Sequence, residues 1–320
     1  MLYLGVDLGG TGIKAGIFDD SFAFLSRAGV ATPKGSPEQI ADAIAVAVDD
    51  CLSKAGLMRG QIAKAGLGSP GSVNPQEGII TFAGNLGFHN VPLGALLKER
   101  TGMDFHIDND ASAAARGEFT AGAGKGVGSM VLITIGTGIG CGIIIDRKVY
   151  RGYNHAGGEA GHMVIVHGGK VCTCGRKGCF ERYASATALI GQIRTAMQDN
   201  RDSLLWQVCP DIESVNGETV FRAMELSDKT AAKVFERYID YLACGIINIT
   251  NILLPELVCI GGGISARGAA LIEPLNARLQ AEGFAYSHNH GRPTVRAAQL
   301  RNDAGIIGAP LNTGGTHERI

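Results

Sequence analysis

The sequence predicts an α/β protein of two domains, the second opening as a copy of the first. Three observations carry this expectation. The octet Gly10-Thr11-Gly12-Ile13-Lys14-Ala15-Gly16-Ile17 recurs as Gly136-Thr137-Gly138-Ile139-Gly140-Cys141-Gly142-Ile143 with only the Lys-Ala pair replaced. Each copy is flanked by β-rich runs, Leu2 to Leu8 before the first and Met130 to Ile135 before the second, which reads as strand, glycine turn, strand, twice. Finally, 320 residues that are 45% hydrophobic and 18% charged can fill two cores. That balance excludes a disordered chain. A formal net charge of -1 without a long Lys/Arg run argues against nucleic acid as main partner.

The elements follow in order. After the first hairpin, whose return strand reads Ile13 to Phe18, Ser36-Pro37-Glu38-Gln39 is a capping box with Pro at the first helical position. It opens a helix to about Lys54 that turns Ile40, Ile44, Ala47 and Cys51 inward. A strand from Phe105 to Ile107 leads into Asp108-Asn109-Asp110-Ala111-Ser112-Ala113 and an Ala-rich helix. The apolar stretch Met130 to Ile145 is broken by Thr134, Thr137 and glycines, so it reads as two buried strands rather than a membrane span. A long helix runs from about Asp228 to Leu254, with Val234, Tyr238, Leu242, Ile246 and Ile249 inward and Pro255 as its stop. The strand Leu257 to Ile260 enters Gly261-Gly262-Gly263, and a last helix from about Gly305 is expected to return to the first domain. The domains are then 1-116 with 305-320, and 117-304. The N-terminus lacks a basic n-region and an apolar signal core, so a soluble, cytoplasmic protein without a membrane partner is expected.

The chemistry begins at the glycine turns. Gly10-Thr11-Gly12 and Gly136-Thr137-Gly138 offer backbone N–H groups and a hydroxyl at close range, so two such turns could hold a triphosphate. A dinucleotide fingerprint would have to open a helix, whereas Ile13 to Phe18 reads as strand. Walker A is absent, since Gly124-Lys125 is followed by Gly126. Asp7, just before the first turn, could hold Mg²⁺ directly or through water. Gly261-Gly262-Gly263 could let an adenosine lie close to the backbone.

His162-x9-Cys172-x-Cys174-x4-Cys179 collects N/S ligands suited to a closed, tetrahedral, structural Zn²⁺ site. His155 and His167 compete with His162 for the fourth position on spacing alone. Cys51, Cys141, Cys209, Cys244 and Cys259 sit scattered in apolar contexts and read as buried side chains. Asp110, at a helix start, is placed to remain ionised and to take a proton, although Asp108 or Asp110 could equally be the helix N-cap, the commoner role.

These residues together resemble the ROK family of repressors, open reading frames and kinases. The resemblance is carried by Asp7-Leu8-Gly9-Gly10-Thr11, Gly68-Ser69-Pro70-Gly71, Asn109-Asp110, Gly157-Gly158-Glu159-Ala160-Gly161-His162, Cys172-x-Cys174-Gly175-x-x-Gly178-Cys179-x-Glu181 and Gly261-Gly262-Gly263. It spans Gly5 to about Pro310, and Glu181-Arg182-Tyr183-Ala184-Ser185 makes it most similar to the bacterial glucokinases of that family. The resemblance implies a duplicated ribonuclease H-like fold of actin and hexokinase type, with two domains and an interdomain cleft. It implies an ATP-dependent hexose kinase with glucose as acceptor, or another hexose such as N-acetylmannosamine, fructose, allose or mannose. Asp110 would be the general base on the sugar 6-hydroxyl. Gly71, Asn85, Asn109, Glu159, His162 and Glu181 would bind the sugar, and His162 would also be the fourth zinc ligand. Asp7, Gly9, Gly10, Thr11, Gly12, Lys14, Gly136, Thr137, Gly138, Gly262 and Gly263 would serve Mg²⁺-ATP. The family also implies a homodimer. Its sugar-responsive repressors carry an N-terminal helix-turn-helix, whereas this chain opens on a strand. Two departures stand out: Ser112 replaces the family's Asn, and Phe88 stands where Trp is common.

Overall fold

A computed structural model describes residues 1–284 and 293–312. The first sheet holds β1 (Leu2–Leu8), β2 (Gly12–Asp19), β3 (Phe24–Ala31), β4 (Lys64–Ser69) and, as the last strand to join it, β8 (Phe105–Asn109). Its order is β3-β2-β1-β4-β8. The three N-terminal strands pair antiparallel, and β4 and β8 run parallel to β1. Between β4 and β8 the chain forms a small sheet of β5 (Ser72–Asn74), β6 (Ile79–Ala83) and β7 (Phe88–Val91).

The second sheet repeats the plan. It contains β9 (Met130–Ile135), β10 (Ile139–Ile145), β11 (Lys148–Tyr150), β12 (Leu257–Gly262) and β13 (Thr294–Ala297), in the order β11-β10-β9-β12-β13. The octet repeat thus marks the same place in both sheets, the turn from first to second strand. β2 begins at Gly12, just before the Ile13 expected for it, and β10 begins at Ile139, directly after the second glycine turn.

Among the described residues the helices are α1 (Pro37–Ala55), α2 (Leu93–Thr101), α3 (Asp110–Ala121), α4 (Glu181–Ala184), α5 (Ala186–Asp199), α6 (Leu205–Val208), α7 (Thr219–Glu225), α8 (Lys229–Leu253), α9 (Ala269–Glu282) and α10 (Ala304–Gly308). The capping box of α1 forms as expected: Gln39 N–H donates to Ser36 Oγ at 3.4 Å, and Ser36 N–H to Gln39 Oε1 at 2.9 Å. Its face of Ile40, Ile44, Ala47, Val48 and Cys51 is buried against the first sheet's core. Asp228 caps α8, which buries Val234, Tyr238, Leu242, Ile246 and Ile249 before Leu254 ends it in a left-handed conformation. No described helix is long and apolar enough to cross a membrane.

The chain forms two compact units, Met1–Leu132 with Gly142–Gly158 and Ala298–Ile320, and Ile133–Cys141 with Glu159–Ala297. Residues 285–292 and 313–320 lie outside the description, including the end of the 305-320 segment expected to join the first domain. Arg116, near which a boundary was expected, sits inside α3. α10 packs within the first unit, on β1 and α3. Two glycines permit that approach. A Cβ on Gly5 would lie 1.7 Å from Ile306 O, and one on Gly308 would lie 1.7 Å from Ala113 O.

Candidate active site

In the first unit, the candidate residues gather where the parallel strands β1, β4 and β8 end, the edge of an α/β sheet where ligands usually bind. Asp7 stands in register with Lys14 on one side and with Gly68 on the other. Burial pushes its carboxyl pKa up, partly opposed by Lys14. The turn beyond it is closed by Gly9 N–H donating to Gly12 O at 2.9 Å, and Thr32 Oγ1 ties Gly9 O at 2.6 Å. Gly10 and Thr11 remain exposed, so this turn presents backbone to solvent. A Cβ on Gly10 would lie 3.4 Å from Asn85 Nδ2, so Asn85 adjoins the first glycine turn.

The Asp108-Asn109-Asp110 run separates into three jobs. Asp108 is 1% exposed. Arg151 grips it with Nε to Oδ1 at 3.1 Å and Nη2 to Oδ2 at 2.5 Å. Asn312 Nδ2 also donates to it. Burial works against its charge, but His106 and Arg151 hold its carboxyl below the ordinary range. Asn109, rather than Asp108 or Asp110, caps α3: its Oδ1 accepts from Ser112 N–H at 3.0 Å. Both carboxylates were candidate caps, and Asn109 takes the place because its backbone stays extended as α3 begins. Its Nδ2 donates to Gly71 O at 3.0 Å, fixing the Gly71 loop to the strand end. Asp110 is the first residue of α3, half-buried, with Oδ1 accepting from Ala111 N–H at 2.7 Å. A Cβ on Gly68 would sit 3.5 Å from Asp110 Cα, so Asp110 stands over the residue that pairs with Asp7. Of the departures, Ser112 is buried behind this cap and Phe88 is 1% exposed in the first unit's core.

In the second unit, the ligand atoms of His162, Cys172, Cys174 and Cys179 all lie within 4.8 Å of one another. Cys172 Sγ is 3.7 Å from His162 Nδ1, and Cys174 Sγ is 3.6 Å from Cys179 Sγ. Tetrahedral Zn²⁺ with Zn–S of about 2.3 Å requires S···S of about 3.8 Å, so the donor set fits zinc. His155 and His167 stand outside the group. The loop is built by paired backbone, with Cys172 N–H to Arg176 O at 2.8 Å and Phe180 N–H to Met163 O at 2.8 Å. Burial pushes the Cys172 thiol up to about 12. The Arg176 N–H draws that of exposed Cys174 down.

Glu181, opening α4, joins this group to the second glycine turn. Its Oε1 accepts from Cys172 Sγ at 3.0 Å and lies 3.7 Å from His162 Nδ1. A Cβ on Gly138 would stand 2.6 Å from its Oε2. The short helix Ala160–His162 rests on the same turn's exit, since a Cβ on Gly161 would be 2.2 Å from Ile139 O. Glu159 is exposed and receives His162 N–H on its carbonyl at 3.0 Å. Burial, then the nearby Glu159 charge, pushes the Cys141 thiol up to about 12. Gly262 closes in on β9, where a Cβ would lie 2.0 Å from Ile135 O, while Gly263 meets open space. Gly262 therefore adjoins the strand end that leads into Gly136, and His162 and Glu181 stand together, with Glu159 bonded to His162 through its backbone. Arg151, which neutralises Asp108, carried no signal in the sequence because the pair is 43 positions apart.

Comparison with known proteins fits this arrangement. The family model that matches is the ROK family, over residues 3–311. A glucokinase from Halalkalibacterium halodurans is 35% identical over 96% of this chain and 93% of its own length. The crystal structure of a ROK family glucokinase from Streptomyces griseus, in complex with glucose and AMPPNP, superposes with a TM-score of 0.84 at 32% identity, covering 97% of this chain and 98% of that one. The xylose repressor of Caldicellulosiruptor bescii is 28% identical over 76% of this chain and 60% of its own length.

Proposed function

This chain belongs to the ROK family, and from that premise we propose that it is an ATP-dependent hexose kinase transferring the γ-phosphate to the 6-hydroxyl of glucose. The observation that carries the reading is the division of labour between two neighbouring carboxylates. Asp108 is sealed against Arg151, while Asp110 sits half-buried on the first turn of α3, with the helix dipole favouring its charged form. Asp110 is then the base that accepts the hydroxyl proton, and Asn109 and Asn85 orient the sugar beside it. Glu159 and Glu181 accept hydrogen bonds from ring hydroxyls. His162 turns Nδ1 toward the thiols, which leaves Nε2 to meet a hydroxyl. Bound zinc would fix that ring and hold the thiolates as anions. The turns at Gly9–Gly12 and Gly136–Gly138 supply N–H groups to the phosphates, with Lys14 beside the first and Gly262 and Gly263 serving the nucleoside. Asp7 is the carboxylate suited to Mg²⁺. A homodimer belongs to the same proposal.

Coupled ADP release with Mg-ATP against a panel of hexoses tests it. Turnover with glucose well above mannose, fructose, allose and N-acetylmannosamine is expected, and preference for another sugar would move the substrate. Absence of turnover with every sugar in zinc-replete protein would favour a sugar-binding regulator, the role that the repressor relative's name states for itself. Asp110→Ala should lower kcat at least a thousandfold with sugar affinity within a few-fold of the parent. Normal turnover in that variant would remove Asp110 from its role.

A further inference from the structure

Behind α3, within the first unit, a cavity of about 330 Å³ is lined by Arg116, Phe119, Thr120, Lys125, Gly126 and Arg147. Small-ligand sites begin at about this size, roughly 300 Å³. Three cations line it and no carboxylate does. None of the three makes an ion pair with any described residue. The Arg116 and Arg147 guanidiniums lie 5.8 and 5.6 Å from the same Phe119 ring. Arg116 Nη1 donates to Arg147 O at 3.0 Å, which keeps these like charges together. Burial, then Arg147 and Arg151, depress the Arg116 pKa, the mark of a positive charge lacking a counter-ion.

Two further features mark the same residues. Arg116 Nε and Thr120 Oγ1 are buried with no hydrogen-bond partner among the described residues, a costly state for a donor and a hydroxyl. Arg147 also sits in the left-handed region, at φ 63°, after Asp146 at φ 50°. These two residues form the tight loop between β10 and β11, where Asn-Gly is the easy choice. An arginine tolerates that backbone at some energetic cost, and here it is pinned by its N–H to Gly128 O at 2.9 Å.

We propose that this cavity is a binding site for a phosphate dianion, either inorganic phosphate or the head of a small phosphate monoester. The ligand would receive charge-assisted hydrogen bonds from Arg116, Lys125 and Arg147. Arg116 follows Asp110 on α3 by six positions, about 9 Å of helix, so an occupant rests on the helix that carries the proposed base. The site does not depend on the kinase reading, since its groups are separate from those assigned to sugar and nucleotide.

The test is calorimetric titration of sugar- and nucleotide-free protein at fixed ionic strength, with inorganic phosphate and with glucose 6-phosphate. The parent is compared with the charge-neutral double variant Lys125→Gln, Arg147→Gln, both exposed positions. At least tenfold weaker binding in the double variant is expected for whichever probe binds. The same probe should raise the melting temperature of the parent and not of the variant. Of the binding that the double variant loses, a larger share for glucose 6-phosphate would assign the site to a monoester, and an equal share to free phosphate. Equal affinity in parent and double variant would overturn the proposal, as would no binding of either probe at millimolar concentration. The titrations need no turnover, so a failed hexose assay leaves their outcome readable.

Discussion

Asp7, half-buried, and Asp108, fully buried, are both carboxylates of the first sheet, and their surroundings set them in opposite directions. Asp108 has Arg151 and Asn312 around it and favours the charged form. For Asp7 burial outweighs the cross-strand Lys14, so its folded pKa lies above the unfolded one. A raised pKa of this kind contributes stability that is complete below the unfolded value and is lost as pH rises through the folded value. At neutral pH the parent therefore carries a partly buried charge that an amide would not. Asp7→Asn should melt at a higher temperature than the parent at pH 7, and the gap should shrink toward pH 4. Thermal melts across that range decide it, and a parent at least as stable as the variant at pH 7 would contradict the argument. The same variant should lose Mg-ATP turnover, a stability gain at the expense of activity.

At the scale of elements, the zinc loop and α4 act as one piece. Glu181 receives the Cys172 thiol on one oxygen and lies under Gly138 with the other. Any loosening of the cysteine loop therefore reaches the second glycine turn. Cys174 is the exposed member of the four, so its replacement removes a proposed ligand without opening a core. Cys174→Ser should bring zinc, measured by atomic absorption, from near one per chain to well below half, and raise KM for glucose more than it lowers kcat. Unchanged metal content would exclude Cys174 as a ligand. The capping of α3 belongs to this scale too. Asp and Asn are nearly equal as caps, so the composition of the Asp108-Asn109-Asp110 run left the choice open, and the end of β8 settled it.

For the whole molecule, two sheets of matching order are the physical meaning of the repeated octet. The C-terminal α10 completes the first unit by lying against the backbone of β1 and α3, which is possible only where a side chain is missing. Gly5→Ala should cost about 2 kcal/mol or more in urea unfolding, because the new methyl meets a main-chain carbonyl that has no rotamer to adopt. Gly60→Ala, which meets no atom within 4 Å, is the control and should change little. Equal stability of the two would mean that α10 is not seated as described. By itself the sequence determined the α/β class, the duplicated hairpin, the span and inner faces of α1 and α8, and the cysteine grouping. Each of these is written in local spacing, a period or a repeat that neighbouring residues share. It could not choose His162 over its rivals without the family resemblance, nor assign the cap of α3, nor tell the sealed Asp108 from the half-buried Asp110. Only the tertiary structure decided the last two and gave His162 its geometry. Asp108 is sealed by partners far along the chain, Arg151 and Asn312, the cap of α3 follows from the extended backbone at the end of β8, and His162 meets the Cys172 loop as it folds back. Burial and charge pairing are properties of what surrounds a residue, and the fold brings those surroundings together.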